Sequence, residues 1–109
     1  MRNKMNLLDK KEHYINLFDF YEGLLSDKQK QYFREYYFQD LSLGEMAENY
    51  GVTRNAIYDH LRKIDSQLDL YEDKLGLFRK YCERKRIYDE ASLLNPEVQK
   101  IINKLKEIE

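Results

Sequence analysis

The chain has 109 residues, 42% of them hydrophobic and 14% aromatic, enough for one small domain with a real core. Its 19 lysines and arginines stand against 20 aspartates and glutamates, so no whole-molecule field draws in nucleic acid or an anionic membrane, and any such binding must come from a local patch. A single cysteine, Cys82, excludes an internal disulfide framework and zinc sites built on cysteine pairs.

The N-terminal "MRNKMNLLDKKEHY" is basic without a sustained apolar run, and no stretch of about 18 apolar residues occurs. These patterns predict a cytoplasmic protein with neither a signal peptide nor membrane insertion. One proline, four glycines and the lack of any alternating apolar and polar run predict an all-α fold. The first helix is expected over Lys11 to Leu25, with Tyr14, Leu17, Phe18, Tyr21, Leu24 and Leu25 on one face at spacings of three and four. "SDKQ" at Ser26 to Gln29 is a capping box, in which the serine hydroxyl accepts a free backbone N–H and the glutamine reaches back. It opens a second helix to about Gln39, with Tyr32, Phe33, Tyr36 and Tyr37 on its apolar face.

"SLGE" at Ser42 to Glu45 repeats the signature and starts a third helix ending at Tyr50. Gly51 suits the left-handed turn that stops it, and Thr53 caps a fourth helix. Ala47 is small enough for the two axes to approach, and Val52 and Ile57 are expected to enter the core. Together they form a helix-turn-helix.

The stretch "LLSDKQKQYFREYYFQDLSLGEMAENYGVTRNAIYDHLRKI" resembles region 4 of bacterial sigma factors, a helix-turn-helix that binds promoter DNA. More closely, "LFDFYEGLLSDKQKQYF", "SLGEMAENYGVTRNAIYDHLRK" and "YEDKLGLFRKY" resemble the YlxM-type family of small bacterial helix-turn-helix proteins, over about Asn16 to Glu90. The resemblance implies a gene beside those of the signal recognition particle GTPases and a regulatory part in that pathway, with components of the particle as partners. It implies no catalytic residue.

A recognition helix meets the major groove through its N-terminal end and one face, here Thr53, Arg54, Asn55, Tyr58, Asp59 and Arg62, followed by Lys63. Arginine pairs with guanine and asparagine with adenine, so Arg54 and Asn55 are the candidate base readers, whereas Asp59 repels phosphate. Lys28, Lys30 and Arg34 of the preceding helix are candidates for backbone phosphates. From Ser42 to Ile64, Arg54, Arg62 and Lys63 only balance Glu45, Glu48 and Asp59, so a scaffold or protein-docking role stands beside DNA binding. His60 occupies a position where an apolar residue usually packs, and Leu61 is expected to take over if the helix is rotated slightly.

Beyond the motif, Ile57, Leu61, Ile64, Leu68, Tyr71, Leu75, Phe78 and Cys82 recur at steps of four and three, which predicts that the recognition helix continues as one long helix with a heptad seam. Cys82 is accordingly expected to be a small buried apolar group. Leu70, Leu77 and Tyr81 make a second stripe. A homodimer is the expected cover, through Leu68, Leu70, Tyr71, Leu75, Leu77, Phe78 and Tyr81. "RKYCERKR", Arg79 to Arg86, is the strongest basic run, either a solvated face or a phosphate contact. Asn95 and Pro96 start a last helix with Val98, Ile101, Ile102, Leu105 and Ile108 as its stripe. The organisation read from these signals is a single all-α domain, 1–109, with a helix-turn-helix core at 11–64 and a long helix and C-terminal helix at 65–109. His13 and His60 lack partners at ligand or triad spacing and no glycine-rich phosphate loop is present, so neither an enzyme nor a cofactor is expected.

Overall fold

The computed structural model describes residues 7–109, so the first six residues of the basic N-terminal stretch lie outside the described residues. The described residues contain helices and connecting turns: α1 (Leu7–Tyr21), α2 (Asp27–Phe33), α3 (Leu43–Tyr50), α4 (Arg54–Leu75), α5 (Leu77–Ser92) and α6 (Pro96–Ile108). No helix among them is long and apolar enough to cross a membrane. The chain divides into two compact units, one ending at Gly76 and the other running from Leu77 to Glu109.

In the first unit α1, α2 and α3 all pack on α4. Leu17, Phe18, Tyr21, Phe33, Met46, Ile57, Ile64 and Leu68 fill the space between them. The helix starts follow the caps read from the sequence. Ser26 Oγ accepts from Gln29 N at 3.2 Å while Gln29 Oε1 accepts from Ser26 N at 2.9 Å. Ser42 and Glu45 repeat the arrangement at 3.0 and 3.1 Å, and these bonds hold the Glu45 carboxyl below the usual carboxylate range.

Three local departures shape this unit. α1 closes in a 3₁₀ turn at Glu22–Leu24, which tightens the winding and swings Leu24 outward to 55% exposure instead of onto the buried face. α2 runs into a π-helical turn over Arg34–Phe38, so the second helix is not α-helical to Gln39. The wider turn brings Phe33 and Phe38, five residues apart, onto the Phe18 ring at centroid distances of 4.3 and 5.8 Å. Asp40 then takes φ 57, an uncommon value for a residue with a Cβ, with its carboxylate 2.7 Å from Lys11 Nζ.

Polar groups hold one flank of α4 as well. Tyr37 Oη donates to Asp65 Oδ2 at 2.8 Å, Tyr14 Oη to Asp69 Oδ2 at 2.7 Å, and Tyr21 Oη to Glu72 Oε1 at 2.6 Å. The acids at 65, 69 and 72 fall at spacings of four and three, so one flank of the helix carries three rungs of tyrosine on carboxylate.

The single long helix expected through Cys82 is broken. α4 ends at Leu75, where Gly76 adopts φ 63 and ψ 28 and its N–H bonds the Glu72 carbonyl at 2.8 Å. The division between units falls there and not after Ile64, because α4 is continuous across that point. Past Gly76 the helical phase restarts, so the heptad seam does not reach Cys82, which is exposed and not buried. In the second unit α5 packs with α6, whose Ile102 is buried. Asn95 Oδ1 caps α6 by accepting from Val98 N at 2.9 Å, and Arg84 of α5 reaches Glu109 at 2.9 Å. Ile101, Leu105 and Ile108 of the expected stripe stay exposed.

Candidate nucleic-acid interface

The corner between α3 and α4 is a Schellman turn. Gly51 sits at φ 66 and ψ 36, its N–H bonds the Glu48 carbonyl at 3.3 Å, and the Val52 N–H bonds the Ala47 carbonyl at 3.0 Å. Ala47 is buried, but the turn leaves Val52 lying beyond the end of α3 at 43% exposure, outside the core it was expected to enter. Thr53 Oγ1 accepts from Ala56 N at 3.0 Å, so the hydroxyl proposed for DNA serves first as the cap of α4. Ile57 and Leu61 are buried whereas His60 is exposed, with its ring edge-on to Tyr32 at 5.4 Å. Leu61 therefore takes the packing position and His60 faces outward.

Arg54, Asn55, Tyr58, Asp59, Arg62 and Lys63 are all exposed, but they divide into sectors. Asn55, Asp59, Arg62 and Ser66 follow one another at spacings of four, three and four, opposite the buried Ile57, Leu61, Ile64 and Leu68. Arg54 turns back toward the start of α3, its Nε 3.9 Å from where a Cβ on Gly44 would stand. The Arg62 guanidinium lies over the Tyr58 ring at 5.7 Å. A groove of about 660 Å³ runs along this flank, lined by Gln29 of α2 and by Asp59, Arg62, Lys63, Ser66, Gln67 and Leu70 of α4. Its wall is held by a bond from Gln29 Nε2 to Gln67 Oε1 at 2.6 Å.

The cations of α2 and of the π-helical turn that follows it do not share one face. Lys28 stands over Tyr32 at 5.5 Å and lines a smaller hollow together with His60 and Lys63. Lys30 and Arg34 line a different surface with Asp27 and Glu35, where Arg34 pairs with Glu22 at 3.1 Å and lies 5.5 Å from the Phe18 ring. Lys28 therefore converges with the recognition helix, and Lys30 and Arg34 do not.

The residues expected at a dimer interface also separate. Leu68 is fully buried in the first unit, where it packs against its own core and is unavailable to a partner. Tyr71 is half-buried, its ring 5.8 Å from Tyr21 and its hydroxyl 3.4 Å from the Leu24 carbonyl. Leu70 and Leu75 are exposed on the first unit, and Leu77 and Tyr81 on the second, where Phe78 is half-buried.

The same helix-turn-helix appears in comparison with known proteins. A family model described as "Putative helix-turn-helix protein, YlxM / p13 like" matches residues 8–108. The chain belongs to this family. A UPF0122 protein of Bacillus licheniformis is 43% identical over 105 residues, covering 94% of this chain and 98% of the relative. One from Listeria innocua is 43% identical over 114 aligned positions, covering 98% and 96%. A third, from Bacillus velezensis, is 48% identical over 81 residues, covering 74% of each. The family match spans both units, α5 and α6 included.

Proposed function

We propose that this protein is a regulatory, nucleic-acid-binding member of its family, which docks the outer face of α4 in the major groove of a duplex and acts in the signal recognition particle pathway. The observation that carries the reading is the sector Asn55, Asp59, Arg62 and Ser66, exposed among the described residues and flanked by Lys28 and Lys63. Base-contacting side chains project from such a face while flanking cations take backbone phosphates. The pathway assignment rests on the resemblance to YlxM-type proteins. Fluorescence anisotropy of the full chain with a pool of genomic duplexes at low salt tests the binding. Retention no greater than that of an unrelated neutral protein would remove the reading.

A second reading, a modulator that docks on a protein of the particle, is favoured by charge. Up to Gly76 the chain has 11 basic residues against 14 acidic ones, a poor balance for a polyanion. Co-purification from cells with and without nuclease separates the two: particle proteins retained after nuclease treatment, with no DNA recovered beforehand, would select the modulator. Exposed Leu70 and Leu75 support a homodimer in either case. Elution as a 13.4 kDa monomer under light scattering would exclude it.

A further inference from the structure

Asp59 lies in the middle of the open sector, between Asn55 and Arg62, and is exposed. It sits three and four residues before Arg62 and Lys63, the spacing at which helical ion pairs form, yet no ion pair among the described residues joins it to either. Arg62 is turned onto Tyr58 instead. A carboxylate without an ion pair thus occupies the centre of the face that would enter a major groove.

A carboxylate only accepts hydrogen bonds. In the major groove guanine presents two acceptors and thymine an acceptor and a methyl group. Adenine pairs its amine with an adjacent acceptor, and cytosine alone offers a donor without one. We propose, on the footing of duplex binding by this face, that Asp59 is a specificity-determining residue that demands cytosine at the base pair met between the contacts of Asn55 and Arg62. Its selectivity comes chiefly from rejection, since every other base sets an acceptor or an apolar group against a desolvated negative charge. Arg54 is turned toward Gly44, away from that sector, and on this proposal would meet backbone and leave base choice to the outer sector.

The test is selection of sites by the full-length chain from a duplex library with a randomised segment, in parallel with Asp59→Ala, Asp59→Asn and Arg54→Ala. Asp59 is exposed and away from the core, so thermal melts of its variants should match the parent. The parent should enrich cytosine at one fixed position by about tenfold. Asp59→Ala should lose that enrichment there alone while binding the unselected library at least as tightly, and Asp59→Asn should shift the position toward adenine. Arg54→Ala should weaken every sequence alike and leave the selected motif intact. A parent that binds duplexes with a motif indifferent to Asp59→Ala, or a motif altered by Arg54→Ala, overturns the assignment and leaves duplex binding standing. A parent that retains no duplex overturns both.

Discussion

The Tyr37 hydroxyl and the Asp65 carboxylate meet at 2.8 Å inside the first unit, and the other carboxylate oxygen of Asp65 is buried without a partner. Burial pushes the Asp65 carboxyl up to about 6, against the opposing pulls of Tyr37, Lys10 and His13 and with a further push from Asp69. Burial and then Asp65 raise the Tyr37 hydroxyl in turn. The folded state therefore holds a proton on Asp65 that the unfolded chain releases near pH 3.8, and stability from this group falls as pH rises from there through about 6.

Asp65→Asn keeps an oxygen for Tyr37 and cannot ionise. It should stabilise the protein by about 1 to 3 kcal/mol at pH 7.5 and by little at pH 4. Denaturant midpoints of parent and variant across that range measure the difference. A gap that stays constant with pH would mean that Asp65 does not titrate between the two values.

Gly51 offers a clean measure of backbone strain, since a Cβ there would meet nothing within 4 Å while φ is +66. Gly51→Ala should cost about 1 to 2 kcal/mol from conformation alone, and Gly51→Asn less. Gly23→Ala, equally open and without a positive φ, should cost almost nothing and serves as the control. Equal melting temperatures for Gly51→Ala and Gly23→Ala would contradict the left-handed turn.

Adjacent residues should behave oppositely at the middle of α4. Leu61→Ala removes a side chain that is 4% exposed and should lose about 2 to 5 kcal/mol. His60→Ala, on the surface, should change stability by no more than about 0.5 kcal/mol. Urea unfolding of the pair checks which residue packs: a costly His60→Ala beside a neutral Leu61→Ala would reverse the assignment.

Phosphate contacts are expected from Lys28 and Lys63 but not from Lys30 and Arg34, which share their surface with Asp27 and Glu35. If a duplex is bound, alanine at Lys28 or Lys63 should reduce the salt dependence of log affinity by about one unit each. Alanine at Lys30 or Arg34 should leave the slope alone. Titrations at several salt concentrations report it, and a slope lowered by Arg34→Ala would move the interface to the opposite flank of α2.

Much of the first unit is legible because its signals are local. Ser26, Ser42 and Thr53 each cap the helix they announce, as Asn95 does in the second unit, and Gly51 turns where a glycine is required. What sequence reasoning misses depends on context. Gly76 lies within a continuous apolar rhythm that predicts one long helix, although it ends α4 in the left-handed region. The π-helical turn and the 3₁₀ turn are one-residue changes of winding that no periodicity over so short a span resolves. The spread of Lys28, Lys30 and Arg34 over two surfaces follows from the same limit, as side-chain direction on a short helix needs its packing. Asp65, Asp69 and Glu72 did leave a trace: acids at spacings of four and three beside the buried positions of α4, in a chain with 10 tyrosines and no tryptophan.

The three tyrosine hydroxyls held by those acids have a mechanical meaning. They grip the C-terminal half of the helix whose N-terminal half carries Asn55, Asp59 and Arg62, and a continuous helix transmits torsion from one half to the other. Rolling the exposed end into a new orientation would require breaking these bonds at the clamped end, the buried Tyr37–Asp65 contact among them. The helix thus behaves as a fixed template whose ordering cost is met during folding, and in any duplex complex it would be the nucleic acid that bends or twists to fit.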